Sequence, residues 1–209
     1  KIFYMENKTV IGFIGAGNMA YALIKGLLSD GFEAKNINVS DANLELLEKR
    51  SSELGVTTYS DNVSLLTNSD IVVFAVKPQV LSVVCHELKN KASSDQLFVS
   101  IVAGIKSKDI NRWLGADFAL VRTMPNTPAL FQSGVTGLYA NELVNDNQKE
   151  SVNLLLSSVG ECFWVNEENL LDAITAISGS GPAYFFLMMQ SMKQAAMALG
   201  LDEKTADAL

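Results

Sequence analysis

Val10-Ile11-Gly12-Phe13-Ile14-Gly15-Ala16-Gly17-Asn18-Met19-Ala20 is the stretch whose reading decides the fold. Val10, Ile11, Phe13 and Ile14 form an apolar run short enough for a strand covered on both faces, as parallel strands are. A glycine turn follows, and Met19 to Leu28 then carries helix-forming, apolar-rich sequence. Gly15, Gly17 and Ala20 fit a dinucleotide fingerprint with alanine in its third place. Gly15 permits the turn, Gly17 lets a pyrophosphate approach the backbone, and Ala20 allows close packing of helix on strand. The helix N-terminus offers unpaired N–H groups and a partial positive charge to such an anion. The competing reading is a glycine turn that is merely structural.

Outward from this stretch, strands and helices alternate. Asp30-Gly31 stops the first helix, Ile37 to Ser40 reads as a strand, and Leu44 to Leu54 as a helix closed by Gly55. Asp41 lies 24 positions beyond Gly17, near the place where a carboxylate accepts the ribose hydroxyls of a dinucleotide; its alternative use is as a helix N-cap. Val56 to Tyr59 reads as an edge strand, and Asp61-Asn62 opens a short helix through Thr67. Ile71 to Val76 is the next buried strand and runs into Lys77-Pro78-Gln79. Lys77 therefore sits at the carboxyl rim of a parallel sheet, where ligands of open α/β folds bind, unless it is simply a solvated lysine. Pro78 pre-sets the first turn of the following helix. Leu97 to Val102 ends in Ala103-Gly104 at the same rim. Asp109 to Leu114 reads as a helix and Phe118 to Arg122 as a strand. The prolines of Met124-Pro125-Asn126-Thr127-Pro128-Ala129 then impose a stiff loop. Val135 to Tyr139 and Phe163 to Val165 read as late strands around a helix from Asn147 to Ser157. The pattern predicts a doubly wound, largely parallel sheet.

From Asn169 the pattern is helical only. Leu170 to Ile177 is broken by Ser178-Gly179-Ser180-Gly181-Pro182. Ala183 to Leu199 is apolar nearly all round and ends at Gly200, and Asp202 caps a last helix. A helix of that kind has to be buried, and too little sequence follows to bury it. The expectation is an intermolecular helical interface, or a cover supplied by further C-terminal chain.

Composition narrows the function. The chain has 209 residues, 48% hydrophobic and 19% charged, with a net charge of −7. The acidic balance, with a pI near 4.7, argues against nucleic acid or an anionic membrane as partner. No apolar run in the sequence approaches membrane-spanning length, and no basic segment precedes a cleavage signal. Met5 reads as the natural start, with residues 1–4 as an added leader. Cys85 and Cys162 form no metal or disulfide framework, so no metal is expected and a cytoplasmic setting is. His86, the single histidine, reads as a helix residue, which leaves hydrolase triads little to stand on.

The motifs together resemble the pyrroline-5-carboxylate reductase family. The resemblance rests on Gly12 through Ala20, Ala75-Val76-Lys77-Pro78-Gln79, Ser100 through Gly104, Met124 through Ala129, and Ser178-Gly179-Ser180-Gly181-Pro182-Ala183-Tyr184, and it covers essentially the whole chain. It implies a Rossmann-type domain over residues 1–168 binding NADPH or NADH. The start of an all-helical domain over residues 169–209, incomplete at its C-terminus, would make a homodimer or higher homo-oligomer. It further implies that the loop of Ala16, Gly17, Asn18 and Met19 holds the pyrophosphate, with Ile14 and Gly15 also cofactor-binding, and that Ser40, Asp41 and Asn62 meet the adenosine ribose. Ala75, Val76, Lys77, Pro78, Ala103 and Gly104 would line the nicotinamide side, with Glu168 near the substrate. The reaction would be hydride transfer to 1-pyrroline-5-carboxylate, giving proline. The family's Ser-Pro-Gly-Gly-Thr stretch, which supplies a hydroxyl near the imine nitrogen, would lie beyond residue 209.

A protonated cyclic imine needs positioning and electrostatics more than acid–base machinery, so a site without histidine is chemically sufficient. Its carboxylate suits the N–H groups and hydroxyls of Gly- and Ser-rich loops. Two rival readings share the fold plan. A β-hydroxyacid dehydrogenase would place a lysine early on the helix after the glycine break, and Ala183 to Met192 has none. A noncatalytic dinucleotide-sensing module would bind without turnover.

Overall fold

A computed structural model describes residues 9–209; the reading of Met5 as the natural start lies outside the described residues. Eight strands form one sheet: β1 (Ile11–Ile14), β2 (Ile37–Ser40), β3 (Thr57–Tyr59), β4 (Ile71–Phe74), β5 (Leu97–Ser100), β6 (Ala119–Met124), β7 (Gly134–Ala140) and β8 (Gly160–Trp164). Their order is β3-β2-β1-β4-β5-β6-β7-β8. All neighbouring pairs are parallel except β6 with β7, so the expected largely parallel, doubly wound sheet is present. The order reverses between β1 and β4, and a crevice opens beyond the carboxyl ends of strands at such a point.

The helices between strands are α1 (Asn18–Ser29), α2 (Leu44–Leu54), α3 (Asn62–Thr67), α4 (Pro78–Leu88), α5 (Ser107–Leu114) and α6 (Asp146–Ser157). They cover both faces, which is why the central strands are continuously apolar. Phe13, Val39 and Val73 enter one core with Leu23 and Leu27, while Ile14, Val72, Phe74 and Phe98 enter the other with Leu65 and Leu81. Phe74 stacks on Phe98 at 5.5 Å, and Phe118 meets Phe98 edge-on at 5.1 Å.

Two expectations are corrected. The strands before the rim are shorter than the apolar runs: β4 stops at Phe74 and β5 at Ser100. Ala75 and Val76 therefore belong to the rim loop, with Ala75 N–H donating to Ile14 C=O at 2.8 Å. The glycine-rich break is also not a break. Helix α7 (Leu170–Ile174) passes through a π-turn (Thr175–Gly179) into α8 (Gly181–Ala198), with helical backbone at Ser180. Ser180 N–H reaches back to Thr175 C=O at 2.8 Å, a five-residue step that absorbs the misfit around Pro182.

The join produces a 29-residue helical run, Leu170–Ala198, within which an 18-residue window has a mean hydropathy of 1.2 and is only 6% buried. By length and composition this run is able to cross a membrane, contrary to the reading of the two halves separately. Its apolar side chains lie open: Tyr184, Phe185, Phe186, Leu187 and Met192 are each more than 60% exposed. Gly200, at φ +102°, ends α8, and Asp202 caps α9 (Glu203–Ala208).

A candidate dinucleotide crevice at the carboxyl rim of the sheet

Gly15 is held by its surroundings. Its φ is +107°, its N–H donates to Ser40 C=O at 2.7 Å, and a Cβ there would stand 2.5 Å from Ala75 O. Gly17 is the opposite case: its φ is ordinary and a Cβ would meet nothing within 4 Å. Gly17 is the N-cap of α1 without a capping side chain, and the first turn contains no acidic residue. The leading N–H groups of α1 are therefore uncapped beside open space, which fits a diphosphate.

A cavity of about 330 Å³ lies against this loop. Among the residues singled out above, Ile14, Gly15, Gly17, Ser40, Asp41, Asn62, Ala75, Val76 and Lys77 line it. Ala16, Asn18, Met19 and Pro78 flank it in the chain without lining it. Ala103 is half-buried and Gly104, at φ +75°, is exposed; both follow β5 outside the cavity lining. The cavity also takes in Ala42, Val80 and Val84, which sequence reasoning missed. The two valines stand four residues apart on one face of α4, a spacing that was visible once Pro78 was taken as the helix start. A larger hollow of about 570 Å³ by Asn141, Glu142, Lys149 and Trp164 contains none of the motif residues, so the crevice is the candidate site.

Asp41 does not cap α2. Asn43 does, accepting from Leu46 N–H at 3.1 Å. The two Asp41 oxygens accept instead from Ala16 N–H at 2.8 Å and Asn43 N–H at 2.9 Å. On the other side of the same residue, Arg50 Nε donates to Ala16 C=O at 3.1 Å, with its guanidinium 4.3 Å from the Tyr21 ring centre. One carboxylate and one guanidinium thus pin both peptide groups of Ala16. Arg50 was missed because nothing on α2 marks it; only folding brings it under the loop. Ser40 Oγ donates to Asn62 Oδ1 at 2.8 Å, and Asn62 Nδ2 to Glu87 at 2.8 Å, fixing the asparagine across the crevice mouth.

Glu168 lies apart from this cavity, at the entry to α7. Its Oε1 accepts from Ser107 N–H at 2.6 Å and from Arg122 Nη1 at 3.1 Å. Burial alone raises the carboxyl pKa, but the Ser107 amide and the Arg122 guanidinium outweigh it and hold the group below the usual carboxylate value. Ser107 engages the carboxylate through its side chain as well as its amide, so Ser107 and Arg122 together hold the group. Burial pushes the Cys85 thiol up to about 12 and that of Cys162 to about 11, so neither is a thiolate near neutrality. His86 is exposed, with Nδ1 2.6 Å from Ser82 C=O on its own helix.

A parallel sheet of this order, a glycine loop with open helix amides, and a trailing apolar helix define the class of dinucleotide-binding oxidoreductases with a C-terminal helical domain. Comparison with known proteins gives the particular family. Residues 10–104 match a family model described as NADP oxidoreductase coenzyme F420-dependent, and residues 168–209 match one described as pyrroline-5-carboxylate reductase dimerisation. The pyrroline-5-carboxylate reductase of Pseudomonas aeruginosa is 46% identical over 95% of this chain and 73% of its own length. A solved pyrroline-5-carboxylate reductase from Coxiella burnetii is 40% identical, with a TM-score of 0.88 over 96% of this chain and 75% of that one. The Plasmodium falciparum enzyme, solved with NADP bound, is 29% identical with a TM-score of 0.85. The chain belongs to the pyrroline-5-carboxylate reductase family.

Proposed function

We propose that this protein reduces 1-pyrroline-5-carboxylate to proline, with NADPH or NADH as hydride donor. Family membership supports the reaction, and the uncapped N-terminus of α1 beside Gly17 is the observation that carries the cofactor reading. The dinucleotide supplies the hydride. The chain's own residues bind and orient. The amides following Gly17 hold the pyrophosphate, and Ser40, Asp41 and Asn62 take the adenosine ribose. The loop from Ala75 to Pro78, with Ala103 and Gly104, lines the nicotinamide side. Because the imine nitrogen arrives protonated, the carbon needs only the hydride pair and no proton has to move at that step. The Glu168 carboxylate is suited to the cationic ring N–H, and Arg122 and Ser107 keep it ionised for the purpose.

Residues 1–168 act as the dinucleotide domain and residues 169–209 begin the dimerisation domain. The open apolar face of α8 packs on a second copy, a reading supported by the dimerisation match over 168–209. That match also favours protein rather than lipid as the cover of the long helix. The unpaired cysteines are in keeping with a cytoplasmic setting.

The test is oxidation of NADH and NADPH on adding pyrroline-5-carboxylate, followed by loss of reduced-nicotinamide absorbance. Turnover with proline formed in equal amount is expected. Dinucleotide binding without turnover in the full-length chain would favour a sensing module instead. Asp41→Asn keeps the acceptor for Ala16 N–H while removing a charge that repels a 2′-phosphate. It is expected to raise the NADPH:NADH preference by about tenfold, on the order of 1.4 kcal/mol; an unchanged ratio would make Asp41 purely a loop brace.

A further inference from the structure

Two stiff stretches with no role in the crevice are bonded to each other. Asn126, after Pro125 at the end of β6, is buried. Its Oδ1 accepts from Val135 N–H at 2.9 Å, and its Nδ2 donates to Ser178 C=O at 3.3 Å and to Ser178 Oγ at 3.1 Å. Ser178 lies four residues before Pro182, so its carbonyl is the one an uninterrupted helix would satisfy through residue 182. Proline has no N–H to give. The Asn126 amide supplies the missing donor from another element, and the π-turn holds the carbonyl where that donor can reach it. The contact continues at the next residue, where a Cβ on Gly179 would stand 2.8 Å from Met124 Cε. The end of β6 and the π-turn are therefore seated directly on each other.

We propose that Asn126 is a positioning residue for hydride transfer: it replaces the amide absent at Pro182 and thereby fixes the long helix against the carboxyl rim of the sheet. This inference rests on the imine-reductase reading above. The dinucleotide is carried by the rim, whereas the helical domain, which the imine-reductase reading places beside the substrate, is seated on the end of β6. A displacement between the two changes the approach of donor to acceptor, and rate is steeply sensitive to that approach. Binding of the dinucleotide, made by the rim, α1 and Asn62 of α3, is not expected to follow.

The test uses the full-length enzyme with Asn126→Asp, which keeps the acceptor for Val135 N–H and turns an oxygen toward the Ser178 carbonyl. Turnover at saturating substrates is expected to fall about tenfold or more. Dinucleotide affinity is expected to stay within about twofold, and the primary deuterium isotope effect to rise as hydride transfer becomes limiting. In an Asn126→Ala background, Pro182→Ala restores an N–H four residues after Ser178. It is expected to recover about threefold or more of the lost rate, a coupling that a loss of general stability would not produce. Should Asn126→Asp fail to fold, Asn126→Ser is read by the same three measurements. Unchanged turnover, rate and affinity falling together, or no recovery on adding Pro182→Ala would each overturn the proposal. A wild-type enzyme that does not reduce the imine would instead overturn the function on which it rests.

Discussion

The glycine loop and the long helix are both rich in small and apolar residues, yet they stand in opposite surroundings. Around Gly15 every neighbour is fixed: Ser40 and Ala75 close on the backbone, and Asp41 and Arg50 grip Ala16. Along α8 the large side chains Phe185, Phe186 and Met189 are each more than 60% exposed. The first region completes itself within the chain and presents polar backbone to a ligand. The second is apolar surface that the described residues leave uncovered. The difference shows that an apolar pattern fixes which residues must be buried without fixing what buries them.

The largest effect is expected where the first region has no slack. Gly15→Val puts a branched side chain at φ +107° against the Ala75 carbonyl, and is expected to cost about 3–5 kcal/mol. Chemical denaturation reads that loss. Gly17→Val, by contrast, meets open space, so stability should hold within about 0.5 kcal/mol while dinucleotide affinity falls more than about tenfold. Equal destabilisation by the two would erase the distinction between a turn glycine and a ligand glycine.

Two phenylalanines sharpen the contrast next. Phe74 is fully buried, and Phe74→Ala is expected to cost about 3–5 kcal/mol. Phe186→Ala is expected to change chain stability by less than about 0.5 kcal/mol while weakening self-association, measured by light scattering across a dilution series. A Phe186 variant that lowers stability at concentrations where only monomer exists would mean α8 is covered within the chain.

A smaller effect belongs to the tie between the regions. Glu168→Gln leaves the buried Arg122 without a charged partner and is expected to cost about 1–3 kcal/mol near neutral pH. The folded carboxyl is held below its ordinary value of 4.5. Its stabilisation is therefore full above that value and is lost as pH falls through the lower folded value. Melting temperatures of wild type and variant should differ most at neutral pH and converge in acid. A gap independent of pH would show that shape, not charge, is what the glutamate contributes.

Much of the architecture was legible because it is written in local period and punctuation. The strands Ile37–Ser40 and the helix Leu44–Leu54 were read with their observed ends, since Gly55 in a left-handed turn and the apolar run each announce a boundary. Misreadings arose where a neighbour overrides local preference. Ala75 and Val76 are apolar enough for a strand but belong to the rim loop. Ser178 to Pro182 has every mark of a helix stop, yet the helix runs through it.

By itself the sequence determined where most strands and helices lie, that β1 leads into an anion-ready helix, and that Ala183 to Leu199 is a helix apolar nearly all round. These follow from side-chain period, glycine and proline, properties each residue carries with it. Only the tertiary structure decided that Asp41 braces Ala16 rather than capping α2, that Arg50 lies beneath the loop, and that Asn126 answers the carbonyl Pro182 leaves open. Those are hydrogen bonds between residues 25 to 52 positions apart, and a partner at that distance is chosen by how the layers pack, which no local pattern encodes.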